Sequence, residues 1–201
     1  MVKTALLNLP MPIKTPRLLL RPPQSGDGAM VNAAVLESFE QLHGTMPWAQ
    51  EKPSVDDSEE YARQGAANWI VKKDEEPYLP IFMYDNQTGQ FVGGTGYHTI
   101  NWDVPCLEIG YWIRTSYSGK GLMTEAVNAL TQYAFKQLRV KRVAITCDIT
   151  NERSKKIPER LDFHLEGTMK FNRLTLSGTT SHTLIFARYD LEGLPKLAID
   201  Y

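Results

Sequence analysis

Apolar residues recur along this chain with two different periods, and the changes of period mark its elements. Leu18 to Arg21 forms a short apolar run that Pro22 and Pro23 interrupt, which is typical of a strand. Helical spacing follows twice. The pattern predicts one helix from Asp27 to Gly44 and a second one from Ser54 into the polar run 72–77.

The remainder of the chain is richer in strands. The segment 107–113 alternates strictly, with Leu107 and Ile109 on one face and Glu108 and Gly110 on the other. A long amphipathic helix opens at Gly121 and runs to Leu138. Further strands are predicted at 78–84, 91–100, 143–149, 165–174 and 181–189, with a turn at Ser177-Gly178 and a short helix at 152–161. The order β-α-α-β-β-β-α-β-α-β-β predicts an α/β fold with a mixed central sheet of about seven strands and about four helices.

Length and composition narrow the picture. With 201 residues and 42% hydrophobic residues, we expect a single domain over 1–201 with a core at about 14–190. A net charge of −1 without basic runs argues against direct nucleic-acid or membrane partners. The apolar patch near the N-terminus is too short for a signal peptide, and no run approaches a membrane span. Cys106 and Cys147 stand alone, as expected of reduced thiols in a cytoplasmic protein, and no metal-ligand spacing exists.

The turn after residue 113 carries the clearest chemical signal. A strand runs into Gly119 and Gly121, and a helix follows at once. Helix starts present free N–H groups that bind anions, and glycines let a phosphate approach the backbone closely. The turn is neither a P-loop nor a dinucleotide fingerprint, because Arg114 and Thr124 stand where those motifs need glycines. A plain strand-to-helix turn remains the alternative.

Three blocks carry a family resemblance. The block E-I-G-Y-W-I…S-G-K-G-L-M-T-E-A, within 108–126, resembles motif A of the GNAT acyltransferases, and 151–167 resembles motif B. The first strand, 15–21, also resembles the start of GNAT chains. The similarity covers about residues 14–190 and is closest to the branch of ribosomal-protein N-terminal acetyltransferases. It implies a GNAT acyl-CoA N-acyltransferase fold.

The resemblance also implies a function. It predicts an N-acetyltransferase that moves acetyl from acetyl-CoA to a primary amine, by direct attack in a ternary complex. A protein N-terminal α-amine is the expected acceptor, and a homodimer is compatible with the branch. Ser118, Met123 and Asp162 depart from the motif pattern. These departures keep a non-catalytic acetyl-CoA-binding module as an alternative. Among enzymes, acetylation of a small-molecule amine such as an antibiotic or polyamine is the second alternative.

The same resemblance assigns residues to coenzyme A. The turn is expected to hold the pyrophosphate, and Asn151 is expected to contact the pantetheine arm. The full expected set is Trp112, Ile113, Ser118, Gly119, Lys120, Gly121, Leu122, Met123, Thr124, Asn151 and Ser154.

Two residues are candidates for catalysis. Glu108 lies on the polar face of its strand, where a carboxylate could accept the amine's proton, and an ion-paired or solvated strand glutamate is the alternative. Ser154 is the hydroxyl matching the region where GNAT enzymes protonate the leaving thiolate, since Pro158 stands where many have tyrosine. A helix-terminal structural serine is the alternative.

The acceptor side is less well defined by the sequence. Trp48, Tyr97, His98 and Trp102 are candidates to line an acceptor pocket, with His98 as a rival base. The loops 44–53 and 101–105 are the expected determinants of acceptor specificity.

Overall fold

The computed structural model describes residues 4–72, 77–175 and 178–201. Within these residues eight strands form one sheet in the order β1-β2-β3-β4-β5-β6-β8-β7. Their bounds are β1 Ile13–Lys14, β2 Leu18–Arg21, β3 Leu79–Asp85, β4 Phe91–Asn101, β5 Cys106–Ile113, β6 Arg142–Asp148, β7 His164–Leu174 and β8 Thr180–Arg188.

Five α-helices accompany the sheet in the described part of the chain. They are α1 Gly28–Glu37, α2 Phe39–His43, α3 Val55–Val71, α4 Leu122–Lys136 and α5 Glu152–Arg160, with 3-10 turns at Thr4–Leu6 and Thr115–Tyr117. Ser54 caps α3 through a reciprocal capping box with Asp57. The mixed α/β fold predicted from the element order is confirmed.

The sheet opens between two neighbouring strands, β5 and β6, which pair over only part of their length. Every adjacent pair is antiparallel except β5 and β6, which run parallel. The parallel pairing covers Cys106, Leu107 and Glu108 and stops where Glu108 meets Ala144. On the other side, β5 stays paired with β4 up to Ile113 opposite Gly93. The second half of β5 therefore diverges from β6.

The two faces of β5 are packed differently. Leu107 and Ile109 are buried in a core cluster that includes α4 residues such as Leu130. The opposite face of β5 is on the side of the sheet that α1 and α3 cover. A second apolar cluster, which includes Val31 and Val35, lies there. The predicted alternation is confirmed, and the polar face of β5 lies beside α1 and α3.

One predicted helix was wrong in its extent. The segment 27–44 is two helices, because the chain breaks at Ser38. The break turns the Ser38 hydroxyl toward the backbone N–H of Thr115, 3.0 Å away, while Glu37 pairs with Arg114 at 2.6 Å. The interruption thus attaches this segment to the loop after β5.

The strand β1 was missed because two residues give no readable pattern. Lys14 of β1 also pairs with Asp200, and Leu194, Leu197 and Ile199 pack against the core beyond the expected limit of 190. The predicted polar run after α3 and the turn at Ser177 fall largely outside the described residues.

The packing of α1 on α3 depends on Gly28. A Cβ at this position would lie 2.6 Å from the Cα of Glu59, a backbone atom that cannot move aside easily. We expect Gly28→Ala to lower the free energy of unfolding by about 1–3 kcal/mol, as overpacking does. Gly167→Ala is the matched control, because a Cβ there meets nothing within 4 Å. Urea denaturation of both variants measures the difference, and equal stabilities would contradict the close contact.

Candidate active site

The opening between β5 and β6 is bridged by one pair of hydroxyls. Tyr111, on the diverging half of β5, donates a hydrogen bond to the backbone carbonyl of Ser154 at 3.1 Å. The Ser154 hydroxyl donates to the Tyr111 oxygen at 3.2 Å. Burial raises the pKa of the Tyr111 phenol above its ordinary value, so the phenol stays protonated near neutral pH. Ser154 and Tyr111 form a hydroxyl pair inside the opening.

Sequence reasoning missed this role of Tyr111. The period-two pattern of β5 contained the signal, because Tyr111 is the hydroxyl-bearing residue on the same face as Leu107 and Ile109. Cys147, on the facing strand β6, is also buried next to the pair, and burial raises the pKa of its thiol. The residues that meet here come from β5, β6 and the start of α5.

Asn151 organises the start of α5. Its side-chain oxygen accepts the backbone N–H of Ser154 at 3.0 Å, which makes it the N-cap of the helix. Its side-chain nitrogen has no hydrogen-bond partner in the part of the chain that the structure describes, so that donor remains available. The capping bond fixes Ser154 beside Tyr111.

The turn before α4 has the geometry of an anion site. Gly119 and Gly121 adopt left-handed conformations, with φ of 77° and 75°. A Cβ at Gly119 would meet nothing within 4 Å, and one at Gly121 would meet only Arg17, at 3.6 Å. No side chain caps the N-terminus of α4. The first N–H groups of the helix are therefore free to bind an anion in the space beside the glycines.

The residues of this turn that are expected to bind coenzyme A differ in which of their atoms can reach it. The side chains of Leu122 and Met123 are buried in the core, so any contact from them runs through the backbone. Lys120 lies 4.8 Å from the ring centre of Tyr117, and Ser118 ends the 3-10 turn.

Two residues of the connection between β1 and β2, Thr15 and Arg17, hold this turn through Glu125. Glu125, in the first turn of α4, accepts a hydrogen bond from the Thr15 hydroxyl at 2.7 Å and pairs with Arg17 at 2.5 Å. Arg17 also donates to the carbonyl of Lys120 at 2.8 Å. Glu125 is almost completely buried, whereas Arg17 is half exposed. These contacts were missed from the sequence, because the partners are more than 100 positions apart.

A cavity of about 590 Å³ lies on the α1 and α3 side of β4 and β5. Its floor is formed by Gly94, Gly96 and Gly110, and Gly96 lies directly opposite Gly110. The floor has no room for larger residues: a Cβ at Gly94 would lie 2.5 Å from the Trp112 indole nitrogen, and one at Gly110 would lie 2.9 Å from His98. The glycines that interrupt β4 in the sequence are thus explained by close packing under the cavity.

A histidine–carboxylate pair lies at one end of the floor. His98 lines the cavity, and its Nε2 is 3.9 Å from Oε1 of Glu108, on the adjacent strand. Glu108 also accepts a hydrogen bond from the hydroxyl of Thr146 on β6, at the point where the parallel pairing ends. The two rival bases of the sequence analysis are therefore neighbours: His98 lines the cavity, and Glu108 lies next to it where the opening begins.

The remaining expected residues separate into two groups. Trp48 and His98 line the cavity, as do Met46, Pro47 and Pro53 of the loop 44–53. Tyr97 was a wrong choice, because its side chain is fully buried in the core and its hydroxyl donates to the carbonyl of Leu130 at 2.7 Å. Trp102 packs against the same core, and the loop 101–105 is absent from the described lining.

Trp112 and Ile113 face away from the turn. The Trp112 indole lies in the cavity beside Gly94, and the Ile113 side chain packs on the core. Trp112 and Ile113 can therefore contact coenzyme A through their backbone groups, on the edge of β5 that no longer pairs with β6. Among the described residues no cluster of three or more potential metal ligands occurs, and no described helix is long and apolar enough to cross a membrane.

Comparison with known proteins agrees with this geometry. A family model described as "Acetyltransferase (GNAT) domain" matches residues 17–164. YdaF of Bacillus subtilis (strain 168), provisionally named a ribosomal N-acetyltransferase, is 40% identical over 85 residues, which are 42% of this chain and 45% of YdaF. The chain thus spans about half the length of that relative. The ribosomal-protein-serine acetyltransferase of Escherichia coli (strain K12) is 28% identical over 61% of this chain and 69% of its own length.

Solved structures share the whole architecture. RimL, a ribosomal L7/L12 alpha-N-protein acetyltransferase solved in complex with coenzyme A, superposes with a TM-score of 0.78 and 21% identity. The alignment covers 91% of this chain and 98% of RimL. At this identity the similarity establishes the fold.

Proposed function

The chain belongs to the GNAT acetyltransferase family, and we propose that it transfers an acetyl group from acetyl-CoA to the α-amine of a protein N-terminus. The observation that carries this proposal is the end of the β5–β6 pairing at Glu108. An opening begins there, the anion-binding turn follows β5, and the cavity lies on the other face of the same strand. We propose further that the chain acts as one domain in the cytoplasm.

The residues present fit coenzyme A. The glycine turn leaves open space beside uncapped helix N–H groups, as the pyrophosphate requires. The unpaired edge of β5 beyond Glu108 offers backbone donors and acceptors to the amide groups of a pantetheine arm. Asn151 offers its free side-chain nitrogen at the far wall of the opening. When bound, acetyl-CoA supplies an acetyl group activated as a thioester.

The acceptor amine is proposed to reach β5 from the cavity. His98 lines the cavity and Glu108 lies next to it, so His98, or Glu108 directly or through a water molecule, can take the proton that the amine must lose. An α-amino group has an ordinary pKa of about 7.7–8.0, against about 10.4 for lysine. A terminal amine therefore needs only modest help from a base near neutral pH, which suits a partly exposed carboxylate.

Ser154 is proposed to return a proton to the departing thiolate. Its hydroxyl is held in the opening by the Asn151 cap and by Tyr111. Ser154 then regains a proton from water, and the proton that the base took from the amine returns to water, so the protons balance over one turnover. A small-molecule amine acceptor remains the second candidate, because the cavity is large enough for one. The homodimer stays a prediction.

The cofactor role of the turn is tested with two glycine variants. Gly121→Ala and Gly89→Ala place the same strain on a left-handed residue, with φ of 75° and 68°. Only Gly121 borders the proposed pyrophosphate site. We expect calorimetry to show acetyl-CoA binding at least about 10-fold weaker for Gly121→Ala, a loss of about 1.4 kcal/mol, and unchanged for Gly89→Ala. Equal affinities in two folded variants would contradict the site.

The proton donor is tested with Ser154→Ala. We expect kcat to fall by roughly 10–10³-fold, the range for loss of one proton-transfer group, while acetyl-CoA affinity stays the same. Ser25→Ala serves as the control, since the Ser25 hydroxyl contacts Glu59 instead. Turnover within about twofold of the parent protein would make Ser154 structural.

The base is tested by the pH profile of kcat/KM. We expect Glu108→Gln to lose most activity at low pH, where the acceptor amine is charged and must give up a proton. Glu152→Gln, on the exposed side of α5, controls for the loss of a carboxylate. If His98→Ala alone removes the activity on the acidic side, the role of base belongs to His98.

A further inference from the structure

We propose that the cavity selects acceptors whose first residue has a bulky apolar, preferably aromatic, side chain, and that it disfavours acceptors with negative charge beside the amine. This inference rests on the proposed function, because it assumes that the amine enters through this cavity.

The walls of the cavity are mainly apolar and aromatic. Apolar and aromatic side chains from α1, α3, β5 and the loop 44–53 enclose the space above the glycine floor: Val31, Val35, Met46, Trp48, Tyr61 and Trp112. Trp48 meets Trp112 edge-on, with ring centres 6.0 Å apart. Surfaces of this kind bind apolar groups by removing them from water, and aromatic rings pack well on one another.

The charged groups at the cavity are negative. None of the lining residues within the described chain is lysine or arginine, while Asp57 is among them. Hydrogen bonds from the backbone and hydroxyl of Ser54 lower the pKa of Asp57, so it is a carboxylate at neutral pH. Glu108 lies beyond His98 at one end of the cavity. This distribution complements a cationic or neutral acceptor and repels an anionic one.

The length of the cavity floor sets which acceptor side chains come near its aromatic end. On β5, Glu108 and Trp112 are four residues apart, which corresponds to about 13 Å of strand. An amine beside His98 places its first side chain over Gly96, next to the His98 ring that covers Gly110. A large side chain extends from there toward the Trp112 indole, which lies over Gly94, and toward Trp48. A serine or alanine side chain is too short to reach either ring.

The inference predicts a preference among peptides that differ only in their first residue. Four peptide amides, Xaa-Gly-Gly-Tyr with Phe, Leu, Ser or Asp first, are assayed with the full chain and acetyl-CoA by thiol release. Mass spectrometry locates the acetyl group. We expect kcat/KM for the Phe and Leu peptides to exceed that for the Ser peptide by about 10–100-fold, with the Asp peptide slowest.

Variants of Trp48 link the preference to the cavity. Trp48 is half exposed on its loop, so its replacement leaves the core intact. We expect Trp48→Ala to reduce kcat/KM for the Phe peptide about 10-fold and to leave the Ser peptide unaffected, whereas Trp48→Phe keeps the preference. Val104→Ala, an exposed apolar residue outside the described lining, is the control.

The possible results distinguish failure of the apolar preference from failure of the proposed acetyltransferase function. Equal rates for the four peptides, or fastest acetylation of the Ser or Asp peptide, would overturn the apolar preference and leave the proposed function standing. An apolar preference that Trp48→Ala does not change would overturn the assignment to this cavity. If no peptide is acetylated although acetyl-CoA binds, the proposed function fails and this inference fails with it.

Discussion

The end of hydrogen bonding between β5 and β6 is the constraint on which the site depends. Up to Glu108 the two parallel strands hold each other, and beyond it the backbone of β5 is bonded on the β4 side alone. A buried N–H or carbonyl without a partner costs about 1–3 kcal/mol, so the free edge must meet water or a ligand. The same divergence leaves room for Tyr111 to reach Ser154 across the opening. In this way one interruption of the sheet creates both a binding edge and the position of the proposed proton donor.

The rest of the molecule holds this interruption in place. Thr15 and Arg17 tie the first turn of α4 to the connection between β1 and β2 through Glu125, which fixes the glycine turn at one end of the opening. Glu37 and Ser38 bind the loop after β5 from the other face. Three glycines in β4 and β5 keep the cavity floor clear. Acetyl donor and acceptor would therefore meet at one strand from opposite sides, with Glu108 between them.

Much of this arrangement could be predicted from the sequence because it is local. The alternation of β5 placed Glu108 opposite Leu107, and Gly119 and Gly121 before an amphipathic helix indicated the anion-binding turn. Contacts between distant segments could not be predicted. Nothing in the sequence connects Thr15 with Glu125, 110 positions later, or Tyr111 with Ser154, 43 positions later. Likewise, the break at Ser38 follows from bonds to Thr115, because helical periodicity alone favours an uninterrupted helix.

Hydrogen exchange with and without acetyl-CoA shows whether the opening beyond Glu108 holds the cofactor. In the proposed complex, backbone amides in 109–113 would gain partners from the pantetheine arm, and those in 119–124 from the pyrophosphate. The account predicts that exchange slows in these two segments and in the first turn of α5, while β1–β3 and the β7 edge keep their rates. Protection that is absent from 109–113, or that appears mainly on β7, would contradict it.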